Sequence, residues 1–249
     1  MQQSNAYIII FTGILTVILA TLLSGTSVLL KDKQDQQVKL DTQKKILGAV
    51  MDISDIIDDP AAVEKLYSER ISSIVVDHQG NEIKEDAKGP LVAEKVNIQK
   101  FYKADPTERQ YPVFMFKGDN GQVESYIFPM FGAGLWDWIS GYIALENDLN
   151  TIVGVAFDHK QETPGLGARI TDQVVRDRFK SKKIFDGSEL VSVTMVKGEG
   201  NAGLTDYEVD GLSGATMTAK GVNKMLEHYL GCYTPFIEKV KSGQKLATN

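Results

Sequence analysis

The uncharged segment that spans residues 7–30 most restricts what this chain can fold into, because no charged side chain occurs before Lys31. As an α-helix, these residues would extend about 36 Å, which is enough to cross a hydrocarbon core of about 30 Å. A cleavable signal peptide is the competing interpretation, but the segment lacks a basic start and its apolar run is too long. We therefore predict a single transmembrane anchor over residues 1–30, followed by a helical stalk over residues 31–55.

The remainder of the chain, residues 56–249, is predicted to form one soluble domain, since 43% hydrophobic content supports one sizeable core. The net charge of −6 and the absence of a basic stripe exclude a nucleic-acid-binding surface. Cys232 is the only cysteine, so no intrachain disulfide can form, and it is predicted to be a small packing residue. No metal site is predicted, because the three histidines are far apart and lack companion cysteines: His78, His159 and His228.

Asp210 begins a short motif, Asp-Gly-Leu-Ser-Gly-Ala-Thr, that ends at Thr216. The small side chains of Ser213, Gly214 and Ala215 would let a bulky phosphate approach the main chain closely. Apolar residues repeat with helical spacing over residues 219–231, which places Thr216 just before a predicted helix that Thr218 would cap and Gly231 would end. The amide groups and dipole at that helix start favour an anion. The alternative is a turn that only caps a helix, in a non-redox membrane-tethered sensor or assembly module.

A second motif covers residues 162–167, Glu-Thr-Pro-Gly-Leu-Gly. Pro164 and Gly165 form a tight-turn pair, and Gly167 leaves its backbone amide open for a ring to pack over. An ordinary turn between a strand over residues 151–158 and a helix that begins near Ile170 is the alternative.

Both motifs resemble signatures of the FMN-binding domain family. In that resemblance, a flavin transferase esterifies the phosphate of FMN to the threonine that corresponds to Thr216, and the second motif lies against the flavin. The resemblance therefore assigns FMN contacts to two further groups of residues: Ser213, Gly214 and Ala215, and Thr163, Pro164, Gly165, Leu166 and Gly167. It extends to Leu135 and Trp136 through Gly-Leu-Trp; Trp136 and Trp138 would face the same way on an extended backbone.

With the N-terminal span and these motifs, the chain resembles the NqrC family, whose members are subunits of the sodium-translocating NADH:quinone oxidoreductases. The resemblance covers nearly the whole chain, and residues 141–145 and 148–151 strengthen it. It implies a flavoprotein subunit that carries electrons from NADH towards ubiquinone beside other subunits of a sodium-exporting complex. The resemblance implies no catalytic residue in this subunit. No independent NADH site is expected either, because Asp137 replaces the third glycine of a dinucleotide motif and no parallel β-α-β unit surrounds it. The G subunit of the related Rnf complex is the alternative within the redox class.

The resemblance also implies that the chain lies in a bacterial inner membrane with its soluble domain on the periplasmic side. The positive-inside tendency favours the cytoplasm instead, because five lysines follow the span: Lys31, Lys33, Lys39, Lys44 and Lys45. We follow the resemblance, since those lysines are spread over fifteen residues.

The coarse pattern predicts an α+β domain with a mainly antiparallel sheet, because strands outnumber helices without regular alternation. The predicted strands cover residues 71–76, 113–116, 123–128, 141–145, 151–157 and 190–197, and the predicted helices cover residues 41–51, 60–68 and 170–179. Residues 128–131, Phe-Pro-Met-Phe, are expected to form an apolar patch that meets a partner protein of the same complex.

Overall fold

The computed structural model describes residues 4–87 and 89–243. The chain divides into two compact units, one that ends at Asp41 and one that begins at Thr42. In chain order, the helices are α1 (Asn5–Val50), α2 (Pro60–Arg70), α3 (Ile98–Phe101), α4 (Gln173–Asp177) and α5 (Thr216–Lys241). The strands are β1 (Ile71–Val76), β2 (Glu85–Asp86), β3 (Gly89–Pro90), β4 (Tyr111–Lys117), β5 (Val123–Ala133), β6 (Trp138–Glu146), β7 (Ile152–His159), β8 (Phe185–Asp186), β9 (Glu189–Leu190), β10 (Thr194–Met195) and β11 (Glu208–Val209).

Helix α1 begins within the predicted anchor and ends within the predicted stalk, at Val50, before the predicted stalk end at residue 55. Among the described residues, it is the helix that is long and apolar enough to cross a membrane. The hydroxyls of Thr16 and Thr21 are satisfied within the helix: each donates to the carbonyl oxygen four residues earlier at 2.8 Å. None of the most apolar part of this helix is buried within the protein.

The second unit is built on a five-stranded antiparallel sheet in the order β1, β4, β5, β6, β7. The hairpins follow the sequence closely, since β4 and β5 meet across residues 118–122, and β6 and β7 meet across residues 147–151. The predicted α+β fold with a mainly antiparallel sheet is therefore confirmed. β1 also has the predicted bounds, and α2 extends two residues beyond its predicted end.

Helix α5 covers one face of the sheet. Phe128 of β5 packs against Tyr233 and Phe236 of α5, with ring centroids 4.7 and 6.1 Å apart. Farther along the same face, Gly132 faces Met225 so closely that a Cβ at Gly132 would lie 2.9 Å from that side chain. This contact fixes the height of α5 above the end of β5, and therefore places the start of the helix near the β5–β6 turn.

The opposite face is covered by the C-terminal part of α1. Gly154 of β7 pairs with Ala144, which pairs with Ile127, so these three residues share the face away from Phe128. A Cβ at Gly154 would meet the carbonyl oxygen of Ala49 at 2.7 Å. Both faces of the central strands are thus buried, which is why β5 reads as an apolar run instead of alternating.

Several local predictions were wrong. The predicted helix over residues 170–179 is a 3₁₀ turn over Gly167–Thr171 followed by the short helix α4, Gln173–Asp177. Helix α5 begins at Thr216 and continues past Gly231 to Lys241, because Tyr233, Phe236 and Ile237 continue its buried stripe. Residues 190–197 form two short strand segments instead of one strand, and β10 pairs in parallel with β11 outside the main sheet. The apolar run at residues 128–131 is buried in β5 and does not form a surface patch.

Candidate functional site

The predicted site residues lie in three segments that follow structured elements. Leu135 and Trp136 lie in the turn between β5 and β6, where the amide of Gly134 donates to the carbonyl oxygen of Asp137 at 2.8 Å. Residues 162–167 form the loop after β7, and residues 213–216 form the turn that leads into α5. We call these the hairpin turn, the second-motif loop and the threonine turn.

Glu162 joins the first two segments to helix α5. Its side chain is only 4% exposed. Carboxylate oxygen Oε1 accepts hydrogen bonds from the backbone amides of Leu135, at 2.7 Å, and Trp136, at 3.2 Å. Oxygen Oε2 accepts from the hydroxyl of Thr218 at 2.6 Å. The structure therefore brings together segments that are more than 80 residues apart along the chain.

Two glycines make room for this carboxylate. A Cβ at Gly134 would clash with Oε1 of Glu162, and a Cβ at Gly167 would clash with Oε2 and with the Thr218 hydroxyl. Any side chain at either position would push the carboxylate out of reach of its donors. Packing against Glu162 and Thr218 therefore requires a glycine at position 167, in addition to the open backbone amide that the sequence suggested.

The second-motif loop also meets the threonine turn. Gly214 has a φ of +78°, a backbone conformation that a residue with a side chain rarely adopts. A Cβ at Gly214 would lie 2.9 Å from Cδ2 of Leu166. Gly214 is thus needed both for the turn geometry and for the approach of Leu166.

The start of α5 presents unsatisfied donors. Its cap residue, Ala215, supplies no side-chain hydrogen bond, and the structure gives no acceptor within the described residues for the backbone amides of Thr216, Met217 and Thr218. Thr218 was predicted to cap this end, which is wrong: it lies within the helix and its hydroxyl donates to Glu162. Thr216 itself is exposed, and its hydroxyl has no hydrogen-bond partner among the described residues.

Thr216 borders a cleft of about 270 Å³. This cleft is separate from another, of about 370 Å³, that lies beside Tyr102 and Trp138. Two lysines, Lys197 and Lys220, line the cleft at Thr216 together with Asn223. Sequence reasoning missed these lysines. Lys220 lies four residues after Thr216 on one helix face, a signal that becomes readable only once α5 is known to begin at Thr216.

Four exposed apolar side chains belong to the three segments and to the first turn of α5: Leu135, Trp136, Leu166 and Met217. Trp136 is 67% exposed, and its indole NH donates to the hydroxyl of Thr163 at 3.2 Å, which ties the hairpin turn to the second-motif loop. Trp138 does not share this surface, since it begins β6 and packs near Phe131 with ring centroids 6.1 Å apart. Exposed apolar area of this kind marks a surface for a planar ligand or a partner.

Asp210 holds the approach to the threonine turn. Its carboxylate accepts from the amides of Gly200, at 3.0 Å, and Asn201, at 2.9 Å, and from the Asn201 side chain at 2.7 Å. The Asn201 backbone amide and then its side chain lower the pKa of Asp210. The first residue of the motif therefore has a structural role, because it ties the loop at residues 200–201 to the strand that precedes the turn.

Arg178 holds the same segment from the other side. Its guanidinium donates to the carbonyl oxygen of Gly211 at 2.5 Å and to Glu199 at 3.1 Å. Glu199 also accepts from Arg169 at 2.8 Å, and these two arginines, Arg169 first, lower the pKa of Glu199. The threonine turn is therefore anchored on a charged network that no sequence motif indicated.

These features fit a ligand with an anionic group and a planar apolar ring. The unsatisfied amides of α5, with Lys220 and Lys197 at the cleft, suit a phosphate, and the exposed apolar side chains suit a ring system such as the isoalloxazine of FMN. Among the described residues, no group of three or more His, Cys, Asp or Glu side chains could hold a metal ion. Cys232 is half-buried on α5.

Comparison with known proteins defines the class first. The FMN-binding domain family matches residues 134–231, a range that contains all three segments of the site. The fold is also that of solved structures: the NqrC subunit of the Na(+)-translocating NADH-quinone reductase from Parabacteroides distasonis, 38% identical over 84% of this chain and 96% of that chain, aligns with a TM-score of 0.70. Shewanella oneidensis NqrC, 25% identical over 83% of this chain and 99% of that chain, aligns with a TM-score of 0.69. The molecule is thus an FMN-binding-domain protein with an N-terminal apolar helix.

Relatives in sequence narrow the class further. The NqrC subunit of the Na(+)-translocating NADH-quinone reductase from Neisseria meningitidis serogroup A is 32% identical over 93% of this chain and 95% of its own length. The same subunit from Haemophilus ducreyi is 31% identical over 92% of this chain and 91% of its own length. This chain belongs to the NqrC family of the Na(+)-translocating NADH-quinone reductases, which confirms the resemblance found in its sequence.

Proposed function

We propose that this chain is the electron-carrying flavoprotein subunit of a sodium-translocating NADH-quinone reductase, with FMN attached through its phosphate to Thr216. Membership of the NqrC family and the match to the FMN-binding domain support the flavoprotein role. The observation that carries the attachment site is the exposed Thr216 hydroxyl, without an internal partner among the described residues, at a helix start whose first amides lack acceptors there.

The attachment requires an activated flavin donor, because a free phosphate does not esterify a threonine in water. With flavin adenine dinucleotide as donor and a flavin transferase as catalyst, the Thr216 oxygen forms a bond to the FMN phosphorus. The phosphoanhydride bond to the second phosphate breaks, AMP leaves, and the threonine hydroxyl loses its proton. The product is a phosphodiester with one negative charge, which the α5 amides and the ammonium group of Lys220 are suited to hold.

The residues of this chain would hold and cover the cofactor, while bound FMN supplies the one-electron and two-electron chemistry. Ser213, Gly214 and Ala215 keep the backbone near Thr216 uncluttered for the phosphate. Leu135, Trp136, Leu166 and the loop at Thr163, Pro164, Gly165 and Gly167 would lie against the ring. A covalent tether prevents loss of the cofactor during repeated electron transfer.

The exposed apolar helix supports a membrane anchor in this proposal. The exposed apolar side chains of this helix are suited to lipid or to the spans of other subunits. We place the chain in a bacterial inner membrane, with its soluble domain on the periplasmic side. NADH oxidation and sodium passage then belong to the partner subunits.

An intact-mass measurement tests the attachment. The full chain, co-expressed with a flavin transferase, should gain the mass of FMN less one water and fluoresce as a flavin band in a denaturing gel. Thr216→Val should abolish both signals, because valine keeps the shape of threonine without its oxygen, and Ser213→Ala is the matched control.

The expected result is a normal mass increment in Ser213→Ala and none in Thr216→Val. If only Ser213→Ala lost the FMN mass increment, the acceptor would be Ser213, and the assignment of Thr216 would be refuted. An unmodified wild-type chain beside an active transferase would refute the covalent proposal and favour the non-redox tethered module. Co-purification with an Rnf-type complex would contradict the proposed partner, which the NqrC relatives favour.

A further inference from the structure

A buried carboxylate lies beneath the proposed flavin surface, and the proposed function gives it no role. Glu162 is 4% exposed and lies behind the hairpin turn, while the exposed apolar side chains of Leu135, Trp136 and Leu166 lie in front. Its hydrogen bonds reach two backbone amides and one hydroxyl, and all three of these partners donate.

This set of donors shows which form of the side chain the site is built for. A protonated carboxyl group needs an acceptor for its own proton, whereas an ionised carboxylate only accepts. Thr218 lies in the first turn of α5, whose positive dipole end also favours a negative charge. No arginine or lysine lies within salt-bridge distance of Glu162 among the described residues, so no direct ion pair neutralises this carboxylate.

We propose that Glu162 is a positioning residue for the FMN site in two ways. Its carboxylate fixes the hairpin turn against the start of α5, and its buried negative charge lowers the midpoint potential of the flavin that this surface holds. The second part rests on the proposed function. A negative charge in a poorly solvated setting disfavours the arrival of electrons nearby, since burial weakens solvent screening.

The geometry allows the two effects to be separated. Glu162→Gln keeps one oxygen for the amides of Leu135 and Trp136, and its NH2 group can donate to the Thr218 hydroxyl. The hydrogen bonds between the hairpin turn and α5 are therefore kept while the charge is lost. Glu162→Ala removes both. Glu227→Gln is the matched control, because Glu227 is an exposed carboxylate on α5 about 14 Å along the axis from Thr218.

The charge is tested by redox titration of the flavinylated full chain. Glu162→Gln should show a positive shift in midpoint potential with an unchanged mass increment, and Glu227→Gln should show no such shift. An equal shift in both variants, or none in Glu162→Gln, would overturn the electrostatic part. A purely structural role would not produce a shift in a variant that keeps its contacts.

The role of Glu162 in holding the hairpin turn is tested without flavin, by amide hydrogen exchange on the unmodified full chain in detergent. The amides of Leu135 and Trp136 should exchange several-fold faster in Glu162→Ala and stay protected in Glu162→Gln. Unchanged exchange in Glu162→Ala would overturn the positioning part. If wild-type chain never gains FMN, the proposed attachment fails, yet this exchange measurement still decides whether Glu162 holds the turn.

Discussion

The contact between Gly221 and the end of β5 sets where the start of α5 lies. A Cβ at Gly221 would lie 2.5 Å from the carbonyl oxygen of Ala133 and 3.3 Å from Cα of Gly134. Both obstacles are backbone atoms, and Ala133 pairs with Trp138 in the sheet, so neither can turn aside as a flexible side chain would. Gly221→Ala should therefore push the first turns of α5 away from the hairpin turn.

Gly231 of the same helix provides the control, because a Cβ there would meet only Leu190, at 4.0 Å. Replacement of glycine by alanine within a helix stabilises it by about 1 kcal/mol, and both variants receive this gain. Overpacking costs about 1–3 kcal/mol, and only Gly221→Ala incurs that cost. The helix contribution cancels in the comparison, so Gly221→Ala should be less stable than Gly231→Ala by about 1–3 kcal/mol.

Urea unfolding of the full chain in detergent, followed by tryptophan fluorescence, measures this difference, and Trp136 and Trp138 lie at the affected junction. Flavin attachment in the Gly221→Ala chain should also decrease, since Thr216 is on the displaced turn. The reasoning is refuted if the two variants have equal unfolding free energies, or if Gly221→Ala is the more stable one. Equal stabilities would mean that the β5–α5 contact is looser than the structure shows.

Two further predictions concern the threonine turn and the second-motif loop. The hydrogen bonds from Asn201 hold the pKa of Asp210 below its ordinary value of 3.8, so Asp210 contributes stability that is present above pH 3.8 and is lost as the pH falls through the lower folded pKa. The difference in unfolding free energy between wild type and Asp210→Asn should therefore shrink below pH 3.8; a difference that is constant with pH would contradict this. Leu166→Ala should leave the FMN mass increment on Thr216 intact while changing the flavin absorption spectrum, and an unchanged spectrum would argue against contact between this side chain and the ring.

The hairpins of the sheet could be predicted from the sequence, because the residue patterns that indicate them are local. Runs of β-branched and aromatic residues, separated by Gly-Asp-Asn-Gly and by Asn-Asp-Leu-Asn, mark hairpins whose strands meet across a short turn. Each predicted hairpin pair formed, and β1 has the predicted bounds. Local turn chemistry and strand propensity point to the same pairing in these segments.

The end of α5 and the conformation of residues 190–197 could not be predicted from the sequence, because both depend on tertiary packing. Gly231 and Pro235 would end an isolated helix, but burial of Tyr233 and Phe236 against Phe128 continues it. Residues 190–197 have strand propensity, yet they pair outside the five-stranded sheet: Leu190 pairs with Phe185, and Thr194–Met195 pairs with β11.

The amino-acid sequence by itself determined the apolar helix, the antiparallel sheet, and the two motifs that identify the family, because each depends on residues close together along the chain. The tertiary structure alone decided that Glu162 joins the hairpin turn to Thr218, that Lys197 and Lys220 border Thr216, and that Arg178 holds the backbone at Gly211. The hydrogen bonds to Gly211 and Thr218 join residues that are 33 and 56 positions apart. No periodicity or spacing records such pairs, since only the folded sheet and the packing of α5 upon it bring them within hydrogen-bond distance.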